Sequence, residues 1–208
     1  MNIDFKLYLI TDRALFSTQE MFFTAIEHAL EGGVKVVQLR EKDMPTRQLL
    51  SLAYKMREMT AHYNAKLIIN DRADIALSVA ADGVHLGQAG MPAFAVRKII
   101  GDMAIIGVST HTMEEAIAAE QEGADFITFG PLYDTPSKRA YGRPVGVEQL
   151  KKVAGKVSLP VFGIGGIKET TIGEVIGHGA QGIALISGIL GASDVRAAAV
   201  HYLKGVGE

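Results

Sequence analysis

Gln38, Arg40 and Lys42 stand two residues apart in "QLREK" (38–42), and that spacing decides what they can do together. In an extended chain alternate side chains share a face, so these three point one way while Leu39 and Glu41 point the other. An amide, a guanidinium and an ammonium converging on one spot suit an oxyanion. "INDR" (69–72) adds Asn70 and Asp71. Such a pair can orient a diphosphate and hold Mg²⁺, an ion that favours carboxylate and phosphate oxygens; it also reads as an ordinary helix N-cap. "FGPLYDTPSKRAYGRPVG" (129–146) leaves a strand carrying Thr135, Ser137 and Lys138, two hydroxyl donors and a compact charge suited to a phosphate or diphosphate, with Arg139 as solvated charge. "GIGGI" (163–167) and "LISG" (185–188) let backbone N–H groups approach an oxyanion closely, or else simply make tight turns.

The six histidines sort by position. His28, His62 and His201 fall within helical stretches and His178 in a helix-end turn, where packing or surface roles suffice. His85 in "GVHLGQ" can point into the fold. His111, just after "GVST", sits at a strand end and is the best general acid/base, because imidazole titrates near neutrality; it also reads as a first-turn helical residue with Thr112 or Ser109 capping. Neither "HExxH" nor "GxSxG" occurs.

These residues need elements to position them. The 208 residues are 48% apolar and 21% charged, as expected for one globular domain spanning 1–208. A net charge of −2 gives no global attraction to nucleic acid or membrane, so any anion site is local. With no cysteine, disulfides, thiolate nucleophiles and thiolate-held metals are excluded. "MNIDFKLYLITDR" lacks a signal peptide's basic start and cleavable apolar segment, and no apolar run approaches a membrane span, so a cytoplasmic protein is expected.

Short apolar runs recur at 6–11, 34–40, 66–70, 83–87, 104–110, 126–130, 160–165 and 182–187. Several are apolar on consecutive positions, as in strands covered on both faces. Helical stretches such as 46–63 and 111–123 lie between them, and small-residue hinges ("EGGVKVVQ", "AADGVHLG", "EGADFITFG", "HGAQGIALI") announce four of the strands. Eight strands in βα order predict an α/β fold, a closed (β/α)8 TIM barrel with a parallel eight-stranded sheet. An open doubly wound sheet would carry "GxGxxG" after its first strand, and none follows "YLITD". In such a barrel every segment quoted above ends at one rim, and the loops after strands seven and eight are the usual phosphate grip.

"VVQLREK", "LIINDRADIAL", "ADGVHLGQ", "IGVSTHT", "GADFITFGPLYDTPSK", "PVFGIGGI" and "GIALISGI" together resemble the signature segments of the thiamine-phosphate synthase and thiazole tautomerase superfamily, in the same order over most of the chain. The resemblance implies the same barrel and a division of labour. Gln38, Arg40, Lys42, Asn70 and Lys138 would hold the diphosphate of hydroxymethylpyrimidine diphosphate, with Mg²⁺ on Asp71. Ser109 would lie beside the pyrimidine, with His85 nearby. Thr135, Ser137, Gly166, Ile186 and Ser187 would take the phosphate of the thiazole partner. One departure stands out. Synthases carry an acidic pair after "HLGQ" whose second member also holds Mg²⁺, and here the pair is Ala89-Gly90, so metal binding should weaken. That loss is shared with the tautomerase branch, which isomerises a carboxylated thiazole phosphate, moves the proton with the residue matching His111 and needs no metal. The retained "QLREK", Asp71 and "TPSK" favour the synthase. A thiazole-phosphate-binding regulator without turnover is the third reading. A barrel's outer helices allow a monomer or a homodimer.

Overall fold

The computed structural model describes residues 3–135 and 143–208. Eight strands form a closed parallel barrel in chain order: β1 (Leu7–Ile10), β2 (Val36–Leu39), β3 (Lys66–Asn70), β4 (Gly83–Leu86), β5 (Ile105–Thr110), β6 (Phe126–Phe129), β7 (Val161–Ile164) and β8 (Gly182–Leu185), which pairs back onto β1. The helices are α1 (Gln19–Glu31), α2 (Thr46–His62), α3 (Ala73–Ser78), α4 (Ala93–Ile100), α5 (Met113–Gln121), α6 (Val147–Ala154), α7 (Ile172–Gly177), α8 (Ser187–Leu190) and α9 (Val195–Val206). Among the described residues no helix is long and apolar enough to cross a membrane.

Consecutive apolar residues serve both faces of the sheet. Leu7, Leu9, Val37, Leu67, Ile69, Ile106 and Ile127 pack outward with the helices. Their neighbours Tyr8, Ile10, Val36, Ile68, Ile105, Phe126, Phe162 and Ala184 fill the interior, with Ile3 and Phe5 joining from the N-terminal segment. Burying each of the larger side chains contributes on the order of 2 kcal/mol. The interior has an aromatic centre: Phe5, Tyr8, Phe126 and Phe162 lie with ring centroids 5.3–6.3 Å apart, several edge to face.

β3 matches its apolar run, while the other strands are shorter than theirs. The run 34–40 predicts a strand reaching Arg40, yet β2 stops at Leu39, because the Arg40 N–H donates to Thr11 Oγ1 at 2.9 Å. At the opposite end of the barrel two hinges repeat one device. Asp82, just before β4, pairs with Arg57 of α2 at 2.6 Å and accepts the Leu67 N–H at 2.7 Å. Asp125, just before β6, pairs with Arg97 of α4 at 2.7 Å and accepts the Ile106 N–H at 2.8 Å. Each carboxylate ties a helix to a strand N-terminus, leaving the other rim for chemistry.

Candidate active site

Strand register puts the polar residues in neighbouring places. Gln38 pairs beside Ile68, Asn70 beside His85, His85 beside Gly107, and Ser109 beside Thr128. Because side chains alternate, a residue two positions above a barrel-filling one also points inward. Gln38 follows Val36, Asn70 follows Ile68, and Ser109 lies four residues above Ile105, so all three cap the interior at its C-terminal end.

A directional hydrogen-bond chain links Gln38, Asn70 and Asp71. The Gly87 N–H donates to Asp71 Oδ1 at 2.7 Å, and Asn70 Nδ2 donates to Oδ2 of the same carboxylate at 2.7 Å. With its amide nitrogen so engaged, Asn70 turns Oδ1 to accept from Gln38 Nε2 at 3.2 Å. Gln38 is only 1% exposed, and its remaining Oε1 is buried with no hydrogen-bond partner among the described residues. A buried unpaired acceptor costs stability unless something else completes it. Asp71 takes a left-handed conformation, φ 57°, and does not cap α3, whose N-cap is Arg72 without a side-chain bond. The N-cap alternative for the Asn-Asp pair is therefore not how the chain uses it.

Arg40 is half-buried and Lys42 exposed, and the positive charge of both helps hold the His85 imidazole neutral. Glu41 turns the opposite way, as alternation predicts. It is buried, accepts from Thr11 Oγ1 at 2.6 Å and receives the Arg13 N–H on both oxygens at 3.2 Å. Burial pushes its carboxyl pKa up, against the pull of the Thr11 and Arg13 bonds.

His85 lies inside the barrel, 2% exposed, between Tyr8 and Phe126. Burial first, then Arg40 and Lys42, lower its pKa to about 3, so the ring is neutral at physiological pH. Its Nδ1 meets the Tyr8 hydroxyl at 3.3 Å and its Nε2 meets Ser109 Oγ at 2.9 Å. Gly107 makes room for this ring, since a Cβ there would lie 2.5 Å from His85 Nδ1 and 2.4 Å from Phe126 Cζ. Tyr8 escaped the sequence reading because "KLYLIT" looks like plain strand; only barrel closure brings it to His85.

His111 is exposed and its backbone N–H and Nδ1 both approach Glu115 Oε2, at 2.6 and 3.2 Å, while Thr112 caps α5 by accepting the Glu115 N–H at 3.2 Å. Thus the helix-start reading describes its local geometry. His28, His62 and His201 lie on exposed helix positions, and His178 ends α7 with Nδ1 2.7 Å from Glu174 O.

On the far side of the rim, Leu132 and Tyr133 extend the sheet by donating to Ile164 O and Gly165 O at 2.9 and 3.0 Å. Gly165 and Gly166 have φ 93° and 69°. A Cβ on Gly166 would lie 2.8 Å from both Asp134 O and Tyr133 Cβ, so "GIGGI" is packed directly against the start of the loop that follows β6. Thr135, the last described residue before Arg143, is half-buried. Ser137 and Lys138 lie outside the described residues. Ile186 is half-buried and Ser187 exposed at the start of α8, where the Leu190 N–H is the first to bond back to Ile186 O in an α-helical i to i−4 step. A four-residue helix adds little dipole, so any grip there rests on individual N–H groups and the Ser187 hydroxyl.

A carboxylate is the natural cation ligand in this rim, and Asp71 keeps one lone pair on each oxygen beyond its N–H bonds. Its neighbour offers none: Gly90 lies so close that a Cβ would sit 3.1 Å from Asp71 Oδ1. Among the described residues no group of three or more His, Cys, Asp or Glu could by itself hold a metal. One carboxylate fits an Mg²⁺ that is shared with phosphate oxygens and water, and not a cage made by protein alone.

Residues 7–189 match the family model described as thiamine monophosphate synthase. A relative from Geobacter sulfurreducens is 54% identical over 194 residues, covering 93% of this chain and 91% of its own. The thiamine-phosphate synthase of Clostridium acetobutylicum is 46% identical over 195 residues, covering 94% of this chain and 92% of its own. Among solved structures, a thiamine phosphate pyrophosphorylase from Pyrococcus furiosus superposes with a TM-score of 0.87 at 40% identity, over 97% of this chain and 95% of that one.

Proposed function

The chain belongs to the thiamine monophosphate synthase family, and from that premise we propose how its barrel mouth carries out the reaction. It is an enzyme, a transferase of the thiamine-phosphate synthase type. It couples hydroxymethylpyrimidine diphosphate with hydroxyethylthiazole phosphate to give thiamine phosphate and diphosphate.

Gln38, Arg40, Lys42 and Asn70, with Lys138 from the undescribed part of the loop, take the diphosphate. Ser109 meets the pyrimidine. Thr135, Ser137, Gly166, Ile186 and Ser187 take the thiazole phosphate on the opposite side of the rim. The C–O bond to diphosphate breaks with its electron pair leaving on oxygen, and the thiazole nitrogen lone pair then closes the new C–N bond. The protein's part is to stabilise the departing charge with fixed cations and to hold both partners in line above a barrel interior closed by aromatic rings. Mg²⁺, when bound, would neutralise diphosphate oxygens. Asp71 would hold it, with water standing where Gly90 provides no ligand.

One observation carries this reading. The Gln38–Asn70–Asp71 chain ends in a buried, unpaired Gln38 Oε1 that calls for a ligand N–H donor, at a rim where the Arg40 and Lys42 cations suit the ligand's anionic group. The bare glycine beside Asp71 is what favours the second reading, a metal-free thiazole tautomerase using His111.

Paired assays on one preparation, with and without Mg²⁺, separate the two. One mixes the pyrimidine diphosphate and thiazole phosphate and looks for thiamine phosphate; the other follows isomerisation of the carboxylated thiazole phosphate. Mg²⁺-dependent thiamine phosphate is expected. Isomerisation alone would replace the synthase with the tautomerase, and binding of thiazole phosphate without either product would leave a regulator.

A further inference from the structure

Three side chains from three strands connect the sealed interior to the open rim. Tyr8 of β1 is 0% exposed, His85 of β4 is 2% exposed, and Ser109 of β5 is half-buried. Their contacts run in that order: Tyr8 hydroxyl to His85 Nδ1, then His85 Nε2 to Ser109 Oγ.

Such a chain has two polarities, and burial selects between them. A neutral imidazole has one N–H and one bare nitrogen. If the N–H were on Nδ1, it would donate to the phenol oxygen, and the phenol O–H would be buried with no acceptor recorded among the described residues. Buried donors are seldom left so. If the phenol donates to Nδ1 instead, the ring proton sits on Nε2 and donates to Ser109 Oγ. Every buried donor is then used. The serine oxygen accepts from below, and its own O–H is left for the mouth.

We propose that Tyr8 and His85 are positioning residues that fix the Ser109 hydroxyl as a hydrogen-bond donor aimed into the barrel mouth, where it takes a ring-nitrogen lone pair of the pyrimidine substrate. The identity of that substrate rests on the proposed function; the polarity of the chain does not. Gly107 belongs to the same device, because any side chain there would push the His85 ring off this line.

The test has two independent readouts. In substrate-free protein carrying ¹⁵N-histidine, long-range ¹H–¹⁵N spectra report each tautomer, with His85 assigned from the signals missing in His85→Gln. The expected result is a proton on Nε2 and a bare, hydrogen-bonded Nδ1, with the Nδ1 resonance shifting in Tyr8→Phe. Kinetically, Tyr8→Phe should raise KM for the pyrimidine diphosphate by roughly fivefold to tenfold, the size of one lost hydrogen bond, while KM for the thiazole phosphate stays within about twofold. His85→Gln, which retains an amide donor at the Nε2 position, should keep more activity than His85→Leu. A proton on Nδ1 in the parent protein overturns the proposal, as do unchanged kinetics in Tyr8→Phe or equal activities of the Gln and Leu variants. Should Tyr8→Phe fail to fold, the parent tautomer and the Gln–Leu pair still decide. Should the parent make no thiamine phosphate, the substrate assignment falls, and the tautomer alone rules on the polarity.

Discussion

Asp71 and Gly90 meet at the rim as a carboxylate beside a bare glycine, and the 3.1 Å from a would-be Cβ to Asp71 Oδ1 says what an acid there would do. Gly90 has no positive φ to forbid a side chain, so Gly90→Asp is allowed once the neighbour gives by a few tenths of an ångström. Two adjacent carboxylates repel each other without metal and attract a divalent cation together. The expected outcome is a severalfold drop in the Mg²⁺ concentration for half-maximal turnover, with a larger Mg²⁺-induced rise in Tm than the parent shows. An unchanged Mg²⁺ titration would place the ion elsewhere. Gly166 is the opposite case. At φ 69°, with Asp134 O and Tyr133 Cβ both 2.8 Å from a Cβ, Gly166→Ala is strained by backbone and by contact. It should cost about 1–3 kcal/mol in urea unfolding and raise KM for the thiazole phosphate.

Among the elements, the clamp between the first and second βα loops decides where the anion-seeking cations stand. Thr11 Oγ1 donates to Glu41 and accepts the Arg40 N–H, so one hydroxyl joins β1 to the end of "QLREK". Thr11→Val keeps the shape and removes both bonds, leaving the Glu41 carboxylate and the Arg40 N–H each one partner short. We expect a stability loss of about 1–3 kcal/mol and a raised KM for the pyrimidine diphosphate, with Thr11→Ser close to the parent. Equal kinetics in the Val and Ser variants would show that the loop holds its shape without the clamp.

For the whole molecule, the interior histidine makes stability depend on pH. His85 is held to about 3 in the fold against 6.5 for an unperturbed imidazole. Between those values the unfolded chain binds a proton that the native one refuses, so stability is full above 6.5 and falls as pH drops. From pH 7 to pH 5 the loss should be about 2 kcal/mol in urea unfolding. His85→Gln should lack that slope. Glu41, whose pKa burial raises, works in the other sense, losing stability as pH rises through its folded value, but it is common to both proteins and cancels in their difference. Identical pH slopes would mean that the ring is reached by protons in the native state.

The sequence by itself determined the barrel, because runs apolar on both faces, hinges before the strands and helices between them leave few other ways to bury the same residues. It also determined which segments end at the rim, and alternation placed Glu41 opposite Gln38 and Arg40, since those are local consequences of backbone period. What the tertiary structure alone decided is how those residues are wired. Which way Gln38 and Asn70 turn their amides, that Asp71 accepts from Gly87 rather than capping α3, that Tyr8 meets His85 and that Gly90 lies against Asp71 all depend on closing β1 through β8 into one ring. Contacts between residues 16 to 77 positions apart are set by register and barrel closure, which no local pattern encodes.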